Sequence, residues 1–114
     1  MSDAEQVLPA EWSAVSHSGA IVVRTTEQGL PIGLTVEAAE LKRNPAELAA
    51  EIMRLCRRSA DHAGLARRAQ LQQAGLAPEM LALTGLPTPE EVARREQAEE
   101  EEFDMEPRSW LRPV

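Results

Sequence analysis

The feature that most constrains the fold is a pair of short alternating apolar segments followed at once by a long capped amphipathic segment. Residues 20–26 and 30–37 alternate apolar and polar side chains, and the short stretch between them ends in Gly29. Two such segments joined by a short glycine-containing stretch are typical of a β-hairpin. Residues 11–18 alternate more weakly before a turn signal at Gly19, and we interpret them as a first strand. The sequence therefore predicts a three-stranded antiparallel meander.

A long amphipathic helix is predicted directly after the meander. Asn44 is a good N-cap, Pro45 suits the first helical position, and Glu47 stands where a capping box has its acid. Apolar or small residues recur at helical spacing from there to about Ala74, and Gly75 ends the pattern. The second half of this segment is rich in Ala and extends past a short sheet, so we expect another helix beside it.

Further helices and an acidic tail are predicted beyond the long helix. Residues 77–83 form a short helical segment, and a last, mostly solvent-facing helix begins with Thr88 as N-cap and Pro89 in its first turn. The predicted fold class is α+β: a three-stranded antiparallel meander, a long amphipathic helix, short helices and an acidic C-terminal tail. The expected organisation is a flexible N-terminus (1–10), a β-β-β-α domain (11–75), a helical extension with an acidic run (76–104) and a C-terminal tail (105–114).

The net charge of −7 conceals a strong separation of charge along the chain. Residues 90–106 hold nine acidic and two basic side chains, whereas residues 42–68 hold seven basic and three acidic ones. The sequence therefore combines a basic helix with an acidic tail.

The candidate core is small and aliphatic. Aromatic residues make up 3% of the 114 residues, and an unaided core of this size is marginal. We therefore expect association with a second copy or with a related small protein. The positions predicted for the core or a dimer interface lie on one face of the sheet and one stripe of the helix: Ile21, Val23, Ile32, Leu34, Val36, Leu48, Ile52 and Leu55.

The basic residues of the long helix allow two interpretations. In a dimer they could contact the phosphates of duplex DNA, with an affinity governed by counterion release. Alternatively they form a solvated face paired with nearby acids or with the acidic tail, which is tethered and would compete with DNA. We favour the second interpretation. The residues concerned are Arg54, Arg57, Arg58, Arg67 and Arg68.

No catalytic or metal-binding constellation is evident in the sequence. His62 lies six positions after Cys56, whereas ligands on one helix face are three or four positions apart, and His17 has no identifiable catalytic partner. Glycine-rich phosphate loops are absent as well. We therefore predict a protein that is not an enzyme, with no catalytic residues, metal, cofactor or small-molecule substrate. No apolar run approaches the roughly 20 residues of a membrane span, and the acidic N-terminus does not resemble a signal peptide, so a cytoplasmic location is expected.

Motifs of this chain resemble those of one family and of a narrower branch of it. The order Ser18-Gly19-Ala20-Ile21-Val22-Val23, Gly29, Leu34-Thr35-Val36 and Leu48-Ala49-x-x-Ile52 resembles the YbaB/EbfC-like family. That resemblance implies a nucleoid-associated dimer in which a three-stranded sheet is followed by a long helix, and hence duplex DNA as a partner.

A narrower resemblance comes from two segments in matching order. Residues 48–52 (LAAEI) and 86–96 (LPTPEEVARRE) are similar to segments of EspD/EspH-like proteins of actinobacterial type VII (ESX) secretion. This resemblance implies an accessory or chaperone-like role with a secretion-system component as partner. Type VII substrates carry a Tyr followed four residues later by Asp or Glu, and the chain has no Tyr, so we expect it to act in the cytosol.

Overall fold

A computed structural model describes residues 8–105, with side chains described as far as residue 101. The predicted flexible N-terminus and C-terminal tail therefore lie almost entirely outside the described residues. The elements in chain order are the strands β1 (Trp12–Val15), β2 (Ile21–Thr25) and β3 (Pro31–Val36), a 3-10 helix (Ala38–Lys42), and the helices α1 (Pro45–Gln73), α2 (Pro78–Leu83) and α3 (Pro89–Met105). The predicted α+β class, with a three-stranded antiparallel sheet before a long helix, is confirmed.

The sheet is a simple meander with strand order β1-β2-β3. Both strand pairs are antiparallel, and Val23 in the central strand lies opposite Ala14 on one side and Leu34 on the other. The register between β2 and β3 shifts between Arg24 and Thr25, which marks a bulge. Because directly opposed residues of antiparallel strands share a face, Ala14, Val23 and Leu34 all belong to one side of the sheet.

The tip of the hairpin between β2 and β3 lies against α1 at Gly29. This glycine has a φ of 91°, and a Cβ placed on it would lie 2.9 Å from Cβ of Ala60 and 3.2 Å from the carbonyl oxygen of Cys56. The tip therefore requires a residue without a side chain, both for its conformation and for its close approach to the helix.

Helix α1 begins as the sequence predicts. The Oδ1 atom of Asn44 accepts hydrogen bonds from the backbone N–H groups of Ala46, at 2.8 Å, and Glu47, at 3.4 Å. Asn44 thereby satisfies two of the donors that a helix N-terminus leaves without partners. The 3-10 helix before it was not predicted, because it has no apolar periodicity of its own.

The hydrophobic core lies where α1 packs over β1 and β2. Its members are buried aliphatic or small side chains, with Val36, Leu48 and Ile52 packed at the margin. A single alanine, two β-branched residues and two helix residues account for the centre: Ala14, Ile21, Val23, Leu55 and Cys56. The predicted helix stripe therefore does face the sheet.

One polar link crosses this core. The hydroxyls of Thr25 and Ser59, both fully buried, lie 2.7 Å apart and join β2 to α1. Thr25 Oγ1 donates to the carbonyl oxygen of Thr26 at 2.8 Å, so the Ser59 hydroxyl donates to Thr25. Both hydroxyls are thus satisfied without water.

The Ala-rich second half of α1 packs against α2 and α3, as the expectation of a neighbouring helix required. Leu81 of α2 and Val92 of α3 are 2% and 3% exposed. Gly64 of α1 allows Pro87 to approach so closely that a Cβ at Gly64 would lie 2.7 Å from its Cδ. The rest of the described part of α3 is partly or fully exposed, in line with the predicted solvent-facing helix.

Candidate functional site

The inner face of β3 is an uncovered continuation of the core. Leu34 lies opposite Val23 and therefore on the same side of the sheet, yet Leu34 is 52% exposed and Val23 is 0% exposed. Ile32, two positions earlier at the bulge, is 46% exposed. We call Ile32 and Leu34 the β3 row. Large apolar side chains exposed side by side at a sheet edge are a typical feature of an interaction surface.

The structure divides the predicted core or interface positions into groups. The fully buried positions are Ile21, Val23 and Leu55, and those at the margin of the core are Val36, Leu48 and Ile52. Ile32 and Leu34 remain open to solvent. The first two groups build the fold, and the β3 row is the most exposed part of the set.

The backbone of β3 is also available on one side, because β3 is an edge strand. The N–H group of Glu37 donates to the carbonyl oxygen of Ala20 at 2.9 Å, so the backbone groups of Glu37 point toward β2. Since these groups alternate in direction along a strand, those of Leu34 and Val36 point away from β2. Charged side chains commonly protect an exposed edge strand against pairing with another strand, and residues 31–36 include none.

Other large apolar side chains are exposed near the ends of the sheet and on α1. Leu30, Leu41 and Met53 are 64%, 64% and 62% exposed, and the sequence analysis singled out none of them. Met53 directly follows Ile52 and is therefore one position away from the apolar stripe of α1. An apolar residue at that position could have been identified from the sequence as an exposed one. Leu41 lies in the 3-10 helix, where no periodicity marks it.

The opposite face of β3 is polar and is partly covered by the side chain of Arg24. Arg24 lies across Gly33, so that a Cβ at Gly33 would collide with the guanidinium, and Arg24 donates to Glu11 at 3.0 Å. This face therefore offers a small, charged surface rather than an apolar one.

The basic face of α1 is engaged by α3 over part of its length. The carboxylate of Glu99 lies 2.9 Å from Nη2 of Arg58 and 3.6 Å from Nη2 of Arg57. Arg58 Nε is buried without a hydrogen-bond partner, so α3 does not satisfy this guanidinium completely. The predicted pairing of the arginines with the acidic segment is thus present for Arg57 and Arg58.

The adjoining pairs along α1 and α3 have mixed polarity. Arg95 of α3 donates twice to Asp61 of α1, at 3.0 and 2.9 Å, and this pairing raises the pKa of Arg95. His62 Nε2 and Glu96 Oε2 lie 2.6 Å apart. Because α1 presents an acid beside its bases, this face complements a helix of mixed charge better than a uniform row of phosphates.

The remaining candidate arginines face other parts of the chain. Arg67 donates to both carboxylate oxygens of Glu27 at 2.8 Å. The hydrogen bonding to Arg67 lowers the pKa of the Glu27 carboxyl and raises that of Arg67. Arg68 donates to the carbonyl oxygen of Leu86 at 3.1 Å. The side chain of Arg54 forms no ion pair or hydrogen bond with any residue whose side chain the structure describes.

The residues weighed for catalysis are not brought together. Cys56 is 5% exposed in the core, and burial raises the pKa of its thiol. His17 lies exposed between β1 and β2, and His62 lies on α1 beside α3. Within residues 8–101, no group of three or more His, Cys, Asp or Glu side chains could hold a metal ion.

Comparison of the chain with protein-family models, with curated proteins and with solved structures finds no match. None of the described helices combines the length and the apolar character needed to cross a membrane.

Proposed function

We propose that the chain is a non-enzymatic interaction protein that forms a dimer, with a second copy or a related small protein, through the β3 row. The observation that carries this proposal is the exposure of Leu34 beside the fully buried Val23. Covering apolar surface is favourable by about 25 cal/mol per Å². A partner seated on β3 would therefore gain both the apolar contact and the unpaired backbone groups of the strand.

The role that best accommodates such a protein is an accessory or chaperone-like one in type VII secretion. Its support is the resemblance of residues 48–52 and 86–96 to EspD/EspH-like proteins. An exposed apolar sheet edge suits a protein that acts by holding a partner rather than by transforming a substrate.

The experiment is a mass determination by light scattering over a range of concentrations, on the full chain and on Leu34→Lys. We expect the full chain to dimerise and Leu34→Lys to remain a monomer, because the new charge would be buried against the partner. Leu83→Lys is the matched control: Leu83 is 79% exposed on α2, which packs against α1, so this variant should dimerise as the original chain does. A chain that stays monomeric at all concentrations would contradict dimerisation with a second copy.

Binding of duplex DNA is the second candidate. The observation in its favour is that an acidic helix occupies Arg57 and Arg58, as a phosphate backbone would. It ranks second because Arg67 and Arg68 are engaged by residues outside α3.

The test of DNA binding uses the full chain carrying Glu96→Gln and Glu99→Gln. If the arginines bind phosphates, this variant should bind duplex DNA more tightly than the original chain, with an affinity that falls steeply with salt. Absence of binding by the variant at low salt would eliminate this candidate.

A further inference from the structure

We propose that the occupant of the open β3 edge is β3 of a second copy, paired antiparallel about a twofold axis centred on Leu34. The two sheets then form one continuous sheet, with both α1 helices on the same side. This inference rests on the proposed function and deepens it by naming the partner and the pairing.

The open edge of β3 presents unpaired backbone groups. The N–H and C=O groups of Leu34 and Val36 point away from β2, because those of Glu37 point toward it. Leu34 placed opposite Leu34 of the partner subunit therefore forms a hydrogen-bonded pair, in which each residue both donates and accepts. The edge is thus complementary to itself.

The apolar side chains of β3 favour one register of the pairing. With Leu34 opposite its own copy, Ile32 lies opposite the partner's Val36, and every opposed pair on the helix side is apolar. A shift by a single residue would place the helices on opposite faces of the joined sheet and separate the two apolar rows. Centring on Leu34 therefore brings together the side chains that α1 leaves uncovered.

The charges of the two strands are compatible with this register. Two copies of a strand meet without repulsion only if like charges do not face each other, and residues 31–36 are all uncharged. On the outer face, Gly33 lies opposite the partner's Thr35, and both residues are uncharged. No like charges oppose one another in this register.

The other edge of the sheet does not offer the same surface. Ala14, on the inner face of β1, is 7% exposed because α1 covers it. Glu11 directly precedes β1, and if two copies of β1 paired near their N-terminal ends, Glu11 would lie opposite the partner's Glu11 and repel it. The second copy is therefore expected at β3 and not at β1.

The experiment is disulfide trapping in the full chain. Opposed Cα atoms in a hydrogen-bonded antiparallel pair lie about 5.5 Å apart, within the roughly 4.4–6.8 Å range of disulfides. Under mild oxidation, Leu34→Cys should form an interchain disulfide at least about tenfold faster than Leu83→Cys, because pairing holds its thiols at high effective concentration. Leu83 is 79% exposed on α2 and provides the matched control.

A second trap tests the register itself. When chains carrying Ile32→Cys and Val36→Cys are mixed, disulfides should join the two kinds of chain in preference to like chains. Preferential joining of like chains would overturn the register.

The outcomes separate the inference from the proposed function. If light scattering finds a dimer but Leu34→Cys is trapped no faster than Leu83→Cys, the β3 pairing is wrong and the dimer forms elsewhere. If the chain is a monomer at every concentration, dimerisation with a second copy fails, and the β3 pairing fails with it.

Discussion

Val23 and Leu34 lie opposite each other on neighbouring strands and on the same face of the sheet, but their environments differ completely. Val23 is 0% exposed, beneath α1, and Leu34 is 52% exposed. The two strands that α1 contacts most are β1 and β2, and β3 lies beyond them. The same alternating pattern has thus produced a covered region and an open one.

The cause of this difference is the width of a single helix. An α-helix with its side chains is about 10–12 Å across, and neighbouring strands are about 4.8 Å apart. One helix therefore covers about two strands, and a three-stranded sheet retains one strand with its inner face open. The apolar alternation of β3 therefore leaves Ile32 and Leu34 without cover from the described part of one chain.

The largest effect is expected from truncating the helix side of the covered region. Leu55→Ala removes a side chain that is 3% exposed in the core, and we expect the free energy of unfolding to fall by about 2–5 kcal/mol. Urea denaturation measures it. Leu83→Ala, at a position 79% exposed, should change stability by no more than about 0.5 kcal/mol. Equal losses in the two variants would contradict the placement of the core.

The opposed residues Val23 and Leu34 allow the most direct comparison of the covered and the open region. Val23→Ala should lower the free energy of unfolding of dilute protein by about 2 kcal/mol, because it removes buried carbon at the centre of the core. Leu34→Ala removes more carbon but should cost at most about 0.5 kcal/mol, because Leu34 is half exposed. Leu34→Ala should become the more destabilising of the two variants only at concentrations where the dimer forms, because it then loses the partner contact.

A smaller effect is expected at the polar link beneath the covered region. Thr25→Val and Ser59→Ala each remove one hydroxyl of the buried pair, and each should cost about 1 kcal/mol. The double variant should cost less than the sum of the two, because it leaves no unpaired hydroxyl behind. A double-mutant cycle by urea denaturation gives the coupling, and strict additivity would show that the two hydroxyls do not interact.

The smallest effect is expected from the ion pair between the hairpin tip and α1. Hydrogen bonding to Arg67 holds the pKa of Glu27 below its ordinary value of 4.5. A carboxylate with a lowered pKa stabilises the fold above that ordinary value, and the contribution is lost as pH falls through the folded-state pKa. The contribution should be below about 1 kcal/mol, because the pair is partly exposed. Glu27→Gln and Arg67→Gln should remove the same part of the acid dependence in urea denaturations at several pH values; unequal losses would exclude the pair as its source.

Much of the fold could be predicted because its signals are local. Asn44 and Gly29 mark the start of α1 and the hairpin tip through backbone chemistry, and the structure contains both. Alternation likewise placed Val23 and Leu34 on a common face.

What could not be predicted depends on distances between remote segments. The sequence shows that Glu99 is acidic and Arg58 basic, but their approach to 2.9 Å depends on how α3 lies along α1. The exposure of Leu34 depends on which strands α1 covers, and the alternation of apolar and polar residues does not indicate where α1 lies over the sheet.

Pairing at β3 can be observed directly by amide hydrogen exchange at Leu34 and Val36 as a function of protein concentration. These N–H groups point away from β2 and have a partner only when a second β3 pairs with them. We predict that their protection rises with concentration, in step with the mass from light scattering, whereas amides of β2 such as that of Val23 stay equally protected throughout. Rapid exchange at Leu34 and Val36 in a solution shown to contain dimers would contradict it.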